Sequence, residues 1–218
     1  MGSGRARPPG NLDPPQLLYP RVLPLLSLLA CPHPLPPVVA DTSGLGGVEV
    51  NGYDVTGHDV VSLRESLRAN GPLNDTGEHV NGETTWALLW QWAGSGEPCA
   101  VTDLWVDLSL VVTLPRWTPG PGTSRALVDR WERYLDALVV HEGGHVARVL
   151  RGRDWMEVQL RAVPCAAVDD AGREILAAVH AENTAYDQAT AHGANQGARF
   201  WTAPEWGSGL DQGAPFAP

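Results

Sequence analysis

The sequence predicts an α+β fold: a small, mainly antiparallel sheet with one packed helix, followed by two long helices. Three observations carry that expectation. The stretches GVEVNGYDV, TTWALLWQW and AVTDLWVDLSLVVTLP contain apolar-polar alternation and many β-branched residues. From Ser124 onward an apolar stripe recurs at steps of three and four residues. A second stripe, from Asp169 or Asp170 to about Thr190, turns polar toward its C-terminal end.

The chain opens in a different regime. Arg5, Arg7 and Arg21 against the single acid Asp13 lead into the apolar VLPLLSLLA, the order of a secretory signal peptide over residues 1–30. The LLAC stretch also resembles a bacterial lipobox, in which Cys31 would carry a lipid and become the mature N-terminus. The expectation is export to the cell envelope or beyond it, with membrane attachment only through Cys31. A proline-rich tether follows over residues 31–45, then a folded domain over residues 46–197 and an irregular Gly/Ala/Pro-rich tail over residues 198–218. Cys99 and Cys165 suit a disulfide in an oxidising compartment. Closing that 66-residue span is worth about 4 kcal/mol in the chain-entropy picture.

All 15 basic residues are arginine, against 25 carboxylates, for a net charge of -10. So acidic a chain is poorly suited to gripping a phosphate backbone, and nucleic acid is not an expected partner.

Within the domain, GVEVNGYDV reads as a strand. Asp59 can cap a helix whose apolar positions are Val60, Leu63 and Leu67. Asn81-Gly82 marks a turn before the two remaining strands. Their tryptophans, Trp86, Trp90, Trp92 and Trp105, are expected to pack the core. Ser124 then caps a helix on which Leu127, Trp131, Leu135, Leu138, His141, His145 and Val149 form a single stripe.

Two histidines four residues apart on a helical face can bind one small cation, and Glu142 projects beside them. His-Glu-x-x-His is the signature of zinc metalloproteases, in which the imidazoles hold Zn²⁺ and the glutamate takes a proton from a metal-activated water. Chance yields such a pentapeptide in a chain of this composition roughly 1% of the time, and chance does not set both histidines on the apolar stripe. Gly143 and Gly144, each costing roughly 1 kcal/mol in a helix interior, are offset by metal binding or permit close approach of a neighbour.

A third ligand must come from elsewhere. The metzincin pattern fails, because Arg148 and Arg151 stand where glycine and histidine would be needed. The second long helix aligns Leu176, His180, Asn183, Asp187 and Thr190 on one face, with His192 and the chain-reversing Gly193 just beyond. His192 is the first choice as ligand and Asp187 the second. If His192 binds, Asp187 could orient a ligand imidazole. His180 is read as a core residue or as support for the ligands, and Tyr186 as either an oxyanion donor or helix packing.

HExGH (His141 to His145), YDxxTxHG (Tyr186, Asp187, Thr190, His192, Gly193), a cysteine on either side of the first long helix and a Y-x-V-x-G opening (Tyr53, Val55, Gly57) together resemble an uncharacterised bacterial family of predicted secreted zinc-dependent proteases. The resemblance spans about residues 46 to 197. It implies a zincin-like fold and peptidase activity on a peptide or protein substrate, with Zn²⁺ as cofactor. Two other readings stand beside it: a metal-stabilised binding or structural module, and a hydrolase of a non-peptide amide.

Overall fold

The computed structural model describes residues 41–200, apart from Gly46 and Asp75. The expected signal peptide, Cys31, most of the tether, and Trp201 and Trp206 lie outside the described residues. Strand β1 (Glu49–Val55) leads to helix α1 (Val60–Asn70), then to strands β2 (Glu83–Ser95) and β3 (Ala100–Trp117), and finally to helices α2 (Arg125–Ala162) and α3 (Val168–Thr190). Asp59 caps α1 by accepting from the Ser62 amide at 2.8 Å, and Ser124 caps α2 through the Leu127 amide, as their side chains predict.

The sheet is mixed, with the order β1-β3-β2. The β2–β3 hairpin is antiparallel, as its short connection requires. β1 runs parallel to β3 along its second half, from Glu49 opposite Val111 to Val55 opposite Trp117. Alternation says which side chains face inward and leaves a strand's neighbour and direction open, so "mainly antiparallel" becomes mixed.

One face of the sheet meets the helices and the other faces solvent. Leu88, Leu104, Val112 and Leu114 are buried on the inner face. Trp86, Trp90 and Trp92 are half-buried there, and the indole N–H groups of Trp90 and Trp92 both donate to Asp169. Trp105 departs from the expectation of core packing: it pairs with Gln91 on the outer face and is 57% exposed. Its odd position in β3 puts it out of phase with Leu104 and Val106.

α2, about 57 Å long at 1.5 Å per residue, is the spine of the molecule. Its first half packs Leu127, Trp131 and Leu135 with Leu63, Leu67, Val112 and Trp117. Its second half packs Val149, Met156 and Leu160 with Leu88, Ile175 and Val179. The His141–His145 segment lies between Leu138 and Val149, where these two cores adjoin. Phe200 is buried against Trp131 and Tyr134, at ring separations of 5.3 and 5.4 Å. Packing therefore runs past the boundary expected at residue 197, although without regular structure.

α3 returns antiparallel to α2 and lies close against it. A Cβ on Gly152 would collide with Val179, and one on Gly144 with Tyr186, so glycine admits the neighbouring helix at both contacts. Cys99 and Cys165 are bonded, fastening the tip of the β2–β3 hairpin to the α2–α3 turn.

Candidate metal centre

His141 and His145 project from α2 toward Asp187 of α3. The Nε2 atoms lie 3.3 and 3.1 Å, respectively, from the same Asp187 oxygen, Oδ1. One donor atom from each of the three residues falls within 4.8 Å of the other two, a grouping that could hold a metal ion. His141 is buried and the other two are partly so.

The far side of each ring favours one tautomer, most firmly for His145. His141 Nδ1 lies 3.0 Å from Gln196 Oε1, and His145 Nδ1 lies 2.8 Å from Asn183 Oδ1. Asn183 donates its Nδ2–H to the Val179 carbonyl, which fixes the amide's orientation. An amide oxygen only accepts, so each Nδ1 carries the hydrogen and each neutral ring turns its Nε2 lone pair toward Asp187. Two lone pairs then face a carboxylate oxygen that also accepts. A proton on one ring reconciles one of these contacts; a divalent ion among the three reconciles both.

Without a metal, the electrostatics favour a proton shared between an imidazole and Asp187. Burial pulls the His145 pKa down, but hydrogen bonds to Asp187 and Asn183 and the charges of Asp187 and Glu142 outweigh it and raise the value. For Asp187, burial acts upward, and the two imidazoles overcome it and hold the carboxyl below its ordinary range. Burial raises the Glu142 pKa against the opposing Thr84 hydrogen bond and histidine charges. Thr84 Oγ1 donates to Glu142 Oε2 at 2.7 Å. On the other side, a Cβ on Gly82 would stand 2.9 Å from Oε1.

His192 lies just outside the three-residue grouping. Its side chain is 81% exposed and its Nδ1 is 3.7 Å from Asp187 Oδ1. Ala191 and His192 both have positive φ, 50° and 51°, and this turn carries residue 192 beyond the helix end. Asp187, four residues before the turn, is still on the helical face opposite His145. Gly193 follows with φ 76°, and a Cβ there would come within 2.9 Å of the His141 ring.

Tyr186 sits behind the imidazoles. Its hydroxyl donates to the His141 carbonyl at 3.1 Å and accepts from Gln196 Nε2 at 3.1 Å. The ring stacks on His141 at 5.2 Å and 17°, and Arg148 covers it at 3.7 Å. His180 is exposed rather than buried in the core, with its ring against Trp86 on the wall of a cleft of about 900 Å³. That cleft opens onto His141, Glu142, His145 and Asp187. Gln196, Asn183 and Thr84, which hold the three motif side chains, were not readable as such. Asn183 alone gave a signal, being one of the polar residues on the α3 face that also carries His180 and Asp187.

A family described as a bacterial protein of unknown function (DUF922) matches residues 50–193, a span from β1 through Gly193 that includes every motif residue above. No curated relative and no solved structure matches the chain.

Proposed function

The chain belongs to the bacterial family DUF922, and we propose that it works as a zinc-dependent endopeptidase exported to the cell envelope. The convergence of two imidazole lone pairs on one Asp187 oxygen carries this reading. Zinc–ligand bonds of 2.0–2.2 Å at tetrahedral angles put donor atoms roughly 3.3–3.6 Å apart. The two Nε2–Oδ1 separations are 3.3 and 3.1 Å, so the observed spacing needs only a slight opening to admit the ion. Two histidines and a carboxylate, with one position left for water, are a catalytic rather than a structural zinc set.

Bound there, zinc supplies a lowered pKa for a coordinated water and polarisation of the scissile carbonyl. Glu142 is the base, taking a proton from the attacking water and giving it to the leaving amine. Its burial keeps the carboxylate basic enough for that exchange, and Thr84 holds Oε2 so that Oε1 is the oxygen that turns over protons. Tyr186 and Gln196 position His141. Among the described residues β2 is an edge strand, its residues Thr84 to Trp86 line the cleft, and that edge suits pairing with an extended peptide. The Cys99–Cys165 disulfide is compatible with export. No helix among the described residues is long and apolar enough to cross a membrane.

Incubation of the zinc-loaded full-length chain with a broad peptide library tests the activity. Glu142→Gln should keep the metal and lower hydrolysis by about 10²- to 10⁴-fold. Tightly held zinc with no cleavage of any peptide would overturn the peptidase reading.

A further inference from the structure

The cleft beside the donor set has one aromatic wall. Trp86 of β2 and His180 of α3 both line it, with ring centroids 4.4 Å apart and planes tilted by 32°. Trp86 is the largest apolar side chain on the lining, and the next wall residues, Thr85 and Thr184, are uncharged. Neither imidazole nitrogen of His180 has a hydrogen-bond partner among the described residues. An exposed ring that satisfies no polar group among the described residues can serve a ligand.

The position of the pair relative to the donor set follows from chain geometry. Thr84, which holds Glu142, and Trp86 share one face of β2 and are separated by about 6.7 Å along the strand. His180 precedes Asp187 on α3 by seven residues, about 10.5 Å along the axis. An extended peptide advances about 3.3–3.6 Å per residue. A substrate side chain two or three residues from the scissile bond therefore reaches the rings.

We propose that Trp86 and His180 form a subsite for an aromatic or large apolar side chain of an extended peptide, two or three residues to one side of the bond that is cut. The inference rests on the peptidase reading and names its substrate class. Substrates are unfolded or extended segments at least about five residues long, with a ring or branched chain at that offset. The indole supplies the apolar face, and the free imidazole edge of His180 supplies a hydrogen bond to the neighbouring peptide group.

The test uses zinc-loaded, full-length Glu142→Gln, which binds without cutting. Octapeptides centred on a bond cut by the wild type, or drawn at random if none is cut, carry Phe, Ala or Glu at one position at a time. Calorimetry should show Phe binding about tenfold more tightly than Ala at one offset of two or three residues. Trp86→Ala and His180→Ala, added separately and read well below both melting temperatures, should abolish that preference while leaving zinc content near that of the parent. Tm should hold in His180→Ala and fall in Trp86→Ala, whose indole also packs against the core. Trp86→Phe should restore part of the preference.

Equal affinities across the series, or a preference that survives Trp86→Ala, would overturn the subsite while leaving the peptidase reading intact. Trp86-dependent binding of Phe peptides that the wild type cannot cut would overturn the peptidase reading and keep the subsite. Binding of N-acetylated glycan oligomers with no peptide binding would overturn both.

Discussion

Gly143 and Gly144 are neighbours in one helix, yet alanine at each should act in opposite directions. A Cβ on residue 143 would meet only Leu45 Cδ2, at 3.5 Å, an ordinary contact. Gly143→Ala therefore gains the helix-propensity difference, roughly 1 kcal/mol, which raises Tm by about 2–4 °C in a chain of this size. A Cβ on residue 144 would overlap the hydroxyl and ring of Tyr186. The same propensity gain is then set against displacement of Tyr186, about 1–3 kcal/mol for overpacking. Loss of its hydrogen bonds to the His141 carbonyl and from Gln196 adds about 0.5–1.5 kcal/mol each. The net is a loss of roughly 1–5 kcal/mol. Because Tyr186 stacks on His141, zinc affinity should also fall by about 10- to 100-fold in Gly144→Ala and hold steady in Gly143→Ala. Scanning calorimetry and a competitive chelator titration read the two effects. Tm shifts of the same sign, with equal zinc affinities, would refute the reasoning.

The metal-free and zinc-loaded chains should respond oppositely to pH. The folded His145 pKa lies above its unfolded value of about 6.5. Its contribution to metal-free stability is thus complete below that pH and is lost as pH rises through the folded pKa. Zinc competes with the proton for the same nitrogen, so affinity weakens as pH falls through that pKa. Thermal scans from about pH 6 to 9, with and without zinc, should diverge as pH rises; parallel curves would contradict the assignment. Replacing Cys99 and Cys165 by serine releases the 66-residue loop, worth about 4 kcal/mol, and should lower Tm by roughly 10 °C. An unchanged Tm would mean that the hairpin tip is held by the sheet alone.

Local rules were legible where a single element carried them. The caps at Asp59 and Ser124, the stripe from Leu127 to Val149 and the juxtaposition of His141, Glu142 and His145 all follow from spacing along one helix. Across elements the legibility fell away. The pairing of β1 with β3 is a choice of neighbour that alternation leaves open. Trp105 was read by residue type, when its phase against Leu104 was the better guide. The order of preference between His192 and Asp187 rested on imidazole chemistry. The positive φ of Ala191 and His192, which moves that ring toward solvent, cannot be read from residue types that rarely adopt it. Gln196 lies past α3, and only the folded chain shows that it meets His141 Nδ1.

Zinc stoichiometry and coordination, measured by elemental analysis and X-ray absorption on the full-length chain, bear most directly on the donor set. The account predicts one zinc per chain, bound by two imidazole nitrogens and a carboxylate oxygen at about 2.0–2.2 Å. Binding should be lost in Asp187→Ala and retained in His192→Ala. A chain that takes up no divalent metal, or one in which His192→Ala releases it and Asp187→Ala does not, would contradict the account.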